Sequence, residues 1–103
     1  MDTGEAVTAA QKYVDTVSKK YQLVQAFVFG SYAKGNYHAD SDIDVAVVLK
    51  NVPNLFDAQI DLMHLRQDDD LQIEPHPFRD TDFNTDNPIV HEILQAGMKL
   101  KIA

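Results

Sequence analysis

Apolar residues recur at spacings of three and four through the first part of the chain, at Val7, Ala10, Val14, Val17 and Tyr21. Such a spacing gathers them on one face and predicts a helix over residues 3–20, with Lys19 and Lys20 suited to its C-terminal end. The period then shortens. Residues 24–29 (VQAFVF) form a run rich in β-branched and aromatic side chains that stops at Gly30, which predicts a buried strand. Ser31 reads as a helix N-cap, followed by a short helical turn ending near Gly35 and a polar loop over 36–41. Residues 42–49 (DIDVAVVL) predict a second strand, broken by Asn51 and Pro53. A helix over 55–65 follows, with Phe56, Ile60, Met63 and Leu65 expected to face inward, and then a solvated acidic turn over 68–70. Residues 71–74 (LQIE) predict a third strand that Pro75 and Pro77 end, with polar loop over 79–87. Pro88 opens a last helix over 88–95, Gly97 stops it, and 98–102 (MKLKI) alternates as a final strand. Interleaved strands and helices predict an α/β (α+β) architecture, a small mixed sheet of about four strands flanked by helices.

Composition narrows the chemistry. With 103 residues the chain is expected to be one domain, 1–103, with no room for a second substrate-binding domain. The absence of cysteine excludes disulfides, a thiol nucleophile and a Cys-ligated zinc site. A net charge of -7 disfavours nucleic acid and anionic membranes and suits a basic protein partner. The polar, acidic start carries no signal-peptide pattern, and no apolar run approaches a membrane span, so the expected location is cytoplasmic.

The stretch GSYAKGNYHADSDIDVAV, residues 30–47, holds the candidate chemistry. Side chains alternate along a strand, so Ile43, Val45 and Val47 share the core face while Asp42 and Asp44 share the other. Two residues span ~6.7 Å between Cα atoms, close enough for both carboxylates to converge on one small cation. Like charges at that spacing repel, and a divalent cation such as Mg²⁺ relieves the repulsion. Just upstream, Gly30 lets backbone approach a ligand closely, and Ser31 adds a hydroxyl at a helix start, where unpaired N–H groups favour phosphate. Anion and cation sites are thus one loop apart, as a metal-bound triphosphate requires. If the third strand lies beside the second, Glu74 joins the aspartates as a third carboxylate, for a second ion or as acceptor of a hydroxyl proton. Asp70 is the rival for that position.

The Gly-Ser, spacer, Asp-x-Asp pattern of Gly30, Ser31, Asp42 and Asp44 resembles the signature of the polymerase-β-like nucleotidyltransferases. The small size resembles their minimal nucleotidyltransferase branch, and IEPHPF (73–78) resembles the place where that branch carries its third carboxylate, although many relatives have aspartate there. The resemblance covers nearly the whole chain. It implies that Gly30 and Ser31 hold the triphosphate of ATP, and that Asp42, Asp44 and Glu74 are catalytic and bind Mg²⁺, with two ions expected. It further implies an antitoxin that transfers AMP to a tyrosine hydroxyl of a HEPN-domain toxin. Two rival functions remain: modification of a small molecule, as in aminoglycoside nucleotidyltransferases, and a non-catalytic module that neutralises a partner by contact.

Other residues carry weaker readings. Lys34 can reach a phosphate from the short helix or be simply solvated. His38 and His76 border the expected site, yet no histidine pair has ligand spacing on a predicted element, and surface histidine is the simpler reading.

Overall fold

The computed structural model describes residues 1–102, apart from the side chain of Asp69. Helix α1 (Thr3–Ser18) leads into strand β1 (Gln22–Phe29), the four-residue helix α2 (Ser31–Lys34) and strand β2 (Ile43–Lys50). Helix α3 (Leu55–His64), strand β3 (Ile73–Arg79), helix α4 (Pro88–Ala96) and the two-residue strand β4 (Met98–Lys99) complete the order. The strands form one mixed sheet in the order β3-β2-β1-β4, with β2 parallel to β3 and both other pairs antiparallel. This is the expected four-stranded architecture.

Local chemistry explains most boundaries. Asp2 caps α1 by accepting from the Glu5 N–H, and the Glu5 carboxylate returns a bond to the Asp2 N–H, a reciprocal capping box. Asn54 and Asn87 cap α3 and α4 by accepting from the Asp57 and Ile89 N–H groups, without the return bond, and Pro88 occupies the first turn of α4, where its missing N–H costs nothing. The last strand is shorter than expected, although the Leu100 N–H still bonds the Ala26 carbonyl beyond it.

Two packed layers enclose the sheet. On one face, Ala6, Ala10, Tyr13, Val14 and Val17 of α1 and Ala58 and Leu62 of α3 meet Ala26, Val28, Ile43, Val45, Val47 and Leu49. On the other face, Ile93 of α4 meets Phe27, Phe29 and Ala46, with Phe78 and Phe83 packed alongside. The alternation expected for β2 is therefore observed.

Three expectations fail for identifiable reasons. Strand β3 runs through Pro75 and Pro77 instead of ending before them. It is an edge strand, and the Gln72 carbonyl bonds to the Ile43 N–H while the Ile73 and Pro75 carbonyls bond to Arg66 and Gln59 of the α3 side. Odd-numbered residues of β3 thus direct their backbone groups away from β2, so the prolines remove no ladder bond. On α3, Phe56 (71% exposed), Ile60 and Met63 face outward, while Ala58 and Leu62 pack on the sheet. Leu71 precedes β3 and is exposed, whereas Asp70 is buried in a 3₁₀ turn, Asp68–Asp70, with its carboxylate accepting from the Gln67 N–H.

A polar cluster ties the start of β1 to α3. Asp61 accepts from Lys20 at 2.7 Å and from the Tyr21 hydroxyl at 2.5 Å. These bonds, the Lys20 one first, hold the Asp61 carboxyl below its usual value, and burial followed by the Asp61 bond pushes the Tyr21 hydroxyl up to about 12. A carboxyl with a lowered pKa stabilises the fold above its unfolded value, and that contribution is lost as pH falls through the folded value. Asp61→Asn is expected to cost at most about 1 kcal/mol at neutral pH. In denaturant titrations the difference from wild type should shrink as pH drops below 3.8.

Candidate active site

The site forms where β1 ends and β2 and β3 begin. Register places Phe29 opposite Asp44 across β1 and β2, and Asp44 beside Glu74 across the parallel pair β2 and β3. Gly30 then turns away with φ 73° and ψ -147°, a conformation essentially restricted to glycine. A Cβ on Gly30 would stand 2.2 Å from Asp44 Oδ2, so the turn and the carboxylate share one point in space. The missing side chain is what allows this approach.

Gly30, not Ser31, is the N-cap of α2, which corrects the sequence reading. A backbone at positive φ supplies the helix start, so the Ser31 hydroxyl makes no cap bond and Ser31 sits in the first turn. Gly35, at φ 81°, closes the helix as expected. The start of β2 is pinned: the His38 N–H donates to Ser41 Oγ at 2.9 Å, Gln72 Nε2 to the Ser41 carbonyl at 3.3 Å, and the Ile43 N–H to the Gln72 carbonyl at 2.8 Å.

Asp44, Glu74 and His76 each offer one ligand atom within 4.8 Å of the others, a single such trio among the described residues. His76 Nε2 lies 3.0 Å from Asp44 Oδ1. Its ring meets that of Phe29 in a T-shaped contact, with centroids 5.0 Å apart. Glu74 is exposed and Asp44 half-buried, so both can be reached from solvent. Two carboxylates and an imidazole this close fit a divalent cation, which would offset their mutual repulsion.

The structure thus brings Gly30, Asp44 and Glu74 together, with Ser31 next in the chain. Asp42 is exposed, precedes β2 and lies outside the trio. Lys34 is ion-paired with Glu92 of α4, and Asp70 is buried away from β3 in its 3₁₀ turn. His38 is exposed in the loop. The residue that sequence reasoning set aside is His76. Its signal was the two-residue spacing from Glu74, which puts both on one face once β3 is allowed to continue through Pro75.

A groove adjoins the trio. Leu55, Phe56 and Gln59 of α3 face His76, Pro77 and Phe78 of β3 across a volume of about 270 Å³.

A mixed sheet that sets a glycine turn against paired carboxylates is the arrangement expected from the resemblance to nucleotidyltransferases. The chain belongs to the family described as "Polymerase beta, Nucleotidyltransferase", whose model matches residues 11–102. The Gly30-Ser31 and Asp42-x-Asp44 pattern is consistent with a minimal nucleotidyltransferase domain.

The chain is 36% identical over 59 residues to a Methanocaldococcus jannaschii protein named "Putative protein adenylyltransferase MJ0141". That match spans 57% of this chain and 59% of the relative's length. Among solved structures, it resembles a Sulfolobus solfataricus protein described as "a putative nucleotidyltransferase", with a TM-score of 0.65, 23% identity and coverage of 77% of this chain and 71% of that one. It also resembles a chain from a mutant of the toxin-antitoxin MntA-HpeT, with a TM-score of 0.54, 15% identity and coverage of 100% and 75%. At these identities the two structures establish the shared fold.

Proposed function

We propose that this protein is an antitoxin that transfers AMP from ATP to a hydroxyl of a protein partner, with a tyrosine of a HEPN-domain toxin as the expected acceptor. The observation that carries the reading is the contact of Gly30 with Asp44 beside Glu74, an anion-accepting turn against a cation-accepting pair. The adenylyltransferase name of the archaeal relative and the fold shared with a toxin-antitoxin component support the choice of acceptor class. A chain of net charge -7 suits a basic partner.

In this reading Gly30 and Ser31 orient the triphosphate through backbone N–H groups and the Ser31 hydroxyl. Asp42, Asp44 and Glu74 hold Mg²⁺, which when bound neutralises phosphate charge and favours in-line displacement. The acceptor oxygen forms a bond to the α-phosphorus, the bond to the bridging oxygen breaks, and pyrophosphate leaves. Glu74, the exposed carboxylate, takes the acceptor proton and passes it to solvent. The protein's work is positioning and charge compensation.

The test is transfer from labelled ATP to the candidate toxin. Label from the α-phosphate, and none from the γ-phosphate, should appear on the partner. Partner neutralisation with no label from either phosphate would sink the reading.

The groove between α3 and β3 is the proposed seat for an apolar side chain of the acceptor protein, because it opens beside the trio. Phe56→Ala is expected to leave folding intact, since the ring is 71% exposed. Truncating an aromatic anchor typically costs more than 1 kcal/mol of binding, so transfer at limiting partner should fall roughly ten-fold. Nucleotide affinity, measured by calorimetry, should not change.

A further inference from the structure

His76 is not one of the acidic residues assigned above, yet it is built into the same point of the sheet. It lies two residues beyond Glu74 on the same strand face and beside Ala46 in register, where the small neighbour leaves the imidazole beside Asp44. Its Nε2 reaches Asp44 Oδ1 at 3.0 Å, and Phe29 braces the ring from the side. Asp42, by contrast, stays outside the trio. The three donors that converge are therefore two oxygens and one nitrogen.

Donor chemistry separates the candidate ions. Mg²⁺ takes oxygen ligands almost exclusively, whereas imidazole is a good ligand for first-row transition ions, whose affinities rise from Mn²⁺ toward Cu²⁺. We propose that His76 supplies a nitrogen ligand to the ion held by Asp44 and Glu74, and that this donor set prefers first-row transition ions to Mg²⁺, with Mn²⁺ as the paramagnetic probe. The inference rests on reading Asp44 and Glu74 as the cation site, but not on the acceptor or on the transfer of AMP. Its consequence for function is that His76 joins Asp44 and Glu74 in holding the ion.

Binding of Mn²⁺ and of Mg²⁺ to the full chain, without nucleotide, is to be measured by calorimetry for wild type and His76→Asn. Pulsed electron paramagnetic resonance of the Mn²⁺ complex then reads directly coordinated ¹⁴N. Wild type should bind Mn²⁺ more tightly than Mg²⁺ and show the nitrogen coupling. His76→Asn should lose the coupling and weaken Mn²⁺ binding by at least about ten-fold, with a smaller change for Mg²⁺. Asp44→Asn should also abolish the coupling, which excludes a signal from His38, His64 or His91.

No Mn²⁺ binding, no coordinated nitrogen in wild type, or equal weakening of both ions would overturn the proposal. So would weaker binding without a coordinated nitrogen, which would make His76 a positioning residue for Asp44. If His76→Asn fails to fold, the wild-type spectrum and the Asp44→Asn control decide. Nitrogen-ligated Mn²⁺ without AMP transfer leaves this inference standing and removes the proposed function; Mg²⁺-supported transfer without the coupling does the reverse.

Discussion

Asp44→Asn is expected to reduce nucleotidyl transfer by roughly 10²–10³-fold or more, the scale of losing one preorganised electrostatic contact. The Asp44 side chain is where the contacts of the site meet. It pairs in register with Glu74, bonds His76 at 3.0 Å and fills the space beside Gly30. Asparagine keeps the shape and one carbonyl oxygen but removes the charge that a cation requires. The fold should survive, because the substitution also relieves repulsion from Glu74 in the ion-free protein. Thermal unfolding without metal should therefore show an unchanged or higher midpoint, while added divalent ion raises the midpoint of wild type alone. Parallel loss of activity and of fold would assign Asp44 a structural role instead.

The second large effect is expected at Gly30. Gly30→Ala places a Cβ 2.2 Å from Asp44 Oδ2 and forces alanine into φ 73°, ψ -147°. Backbone strain of this kind costs ~1–3 kcal/mol, and relieving the overlap moves the Asp44 carboxylate or the turn. Stability should fall by roughly 2–4 kcal/mol, adding the displaced packing to the strain. Transfer should fall at temperatures where the variant is still folded, because the displaced group is the one that faces the cation. Gly35→Ala is the useful contrast. It shares a positive φ, at 81°, but a Cβ there meets nothing within 4 Å, so it should cost stability and spare transfer.

The placement of these residues was partly legible in the sequence. The Gly-Ser turn and the alternation of β2 are local properties, set by the steric freedom of glycine and by the two-residue period of a strand. The alternation is found as expected, with Ile43, Val45 and Val47 in the core and Asp44 on the opposite face, while the turn differs in that Gly30 and not Ser31 caps α2. The neighbourhood of Glu74 was legible only conditionally, because no local pattern says that β3 lies parallel beside β2. His76 was hidden by a sound rule applied at the wrong edge. Proline ends a central strand, but the open side of β3 carries Pro75 and Pro77 without loss. Helix α3 is apolar on two sides, so its period could not choose between the Ala58–Leu62 face and the Phe56–Ile60–Met63 face. Ala58 and Leu62 pack on the sheet, while Phe56, Ile60 and Met63 stay exposed, with Phe56 lining the groove. Asp70 looked solvated among three aspartates, yet it is buried in a 3₁₀ turn where its carboxylate accepts from the Gln67 N–H.

The most direct measurement is a crystal structure of the wild-type chain with a divalent cation and an ATP analogue that carries a methylene bridge between its α- and β-phosphorus atoms. Electron density for the ion between the Asp44 and Glu74 carboxylates, with the triphosphate against the Gly30 and Ser31 N–H groups, is the expected result. An ion and nucleotide bound elsewhere, with those two carboxylates still facing solvent, would contradict the account.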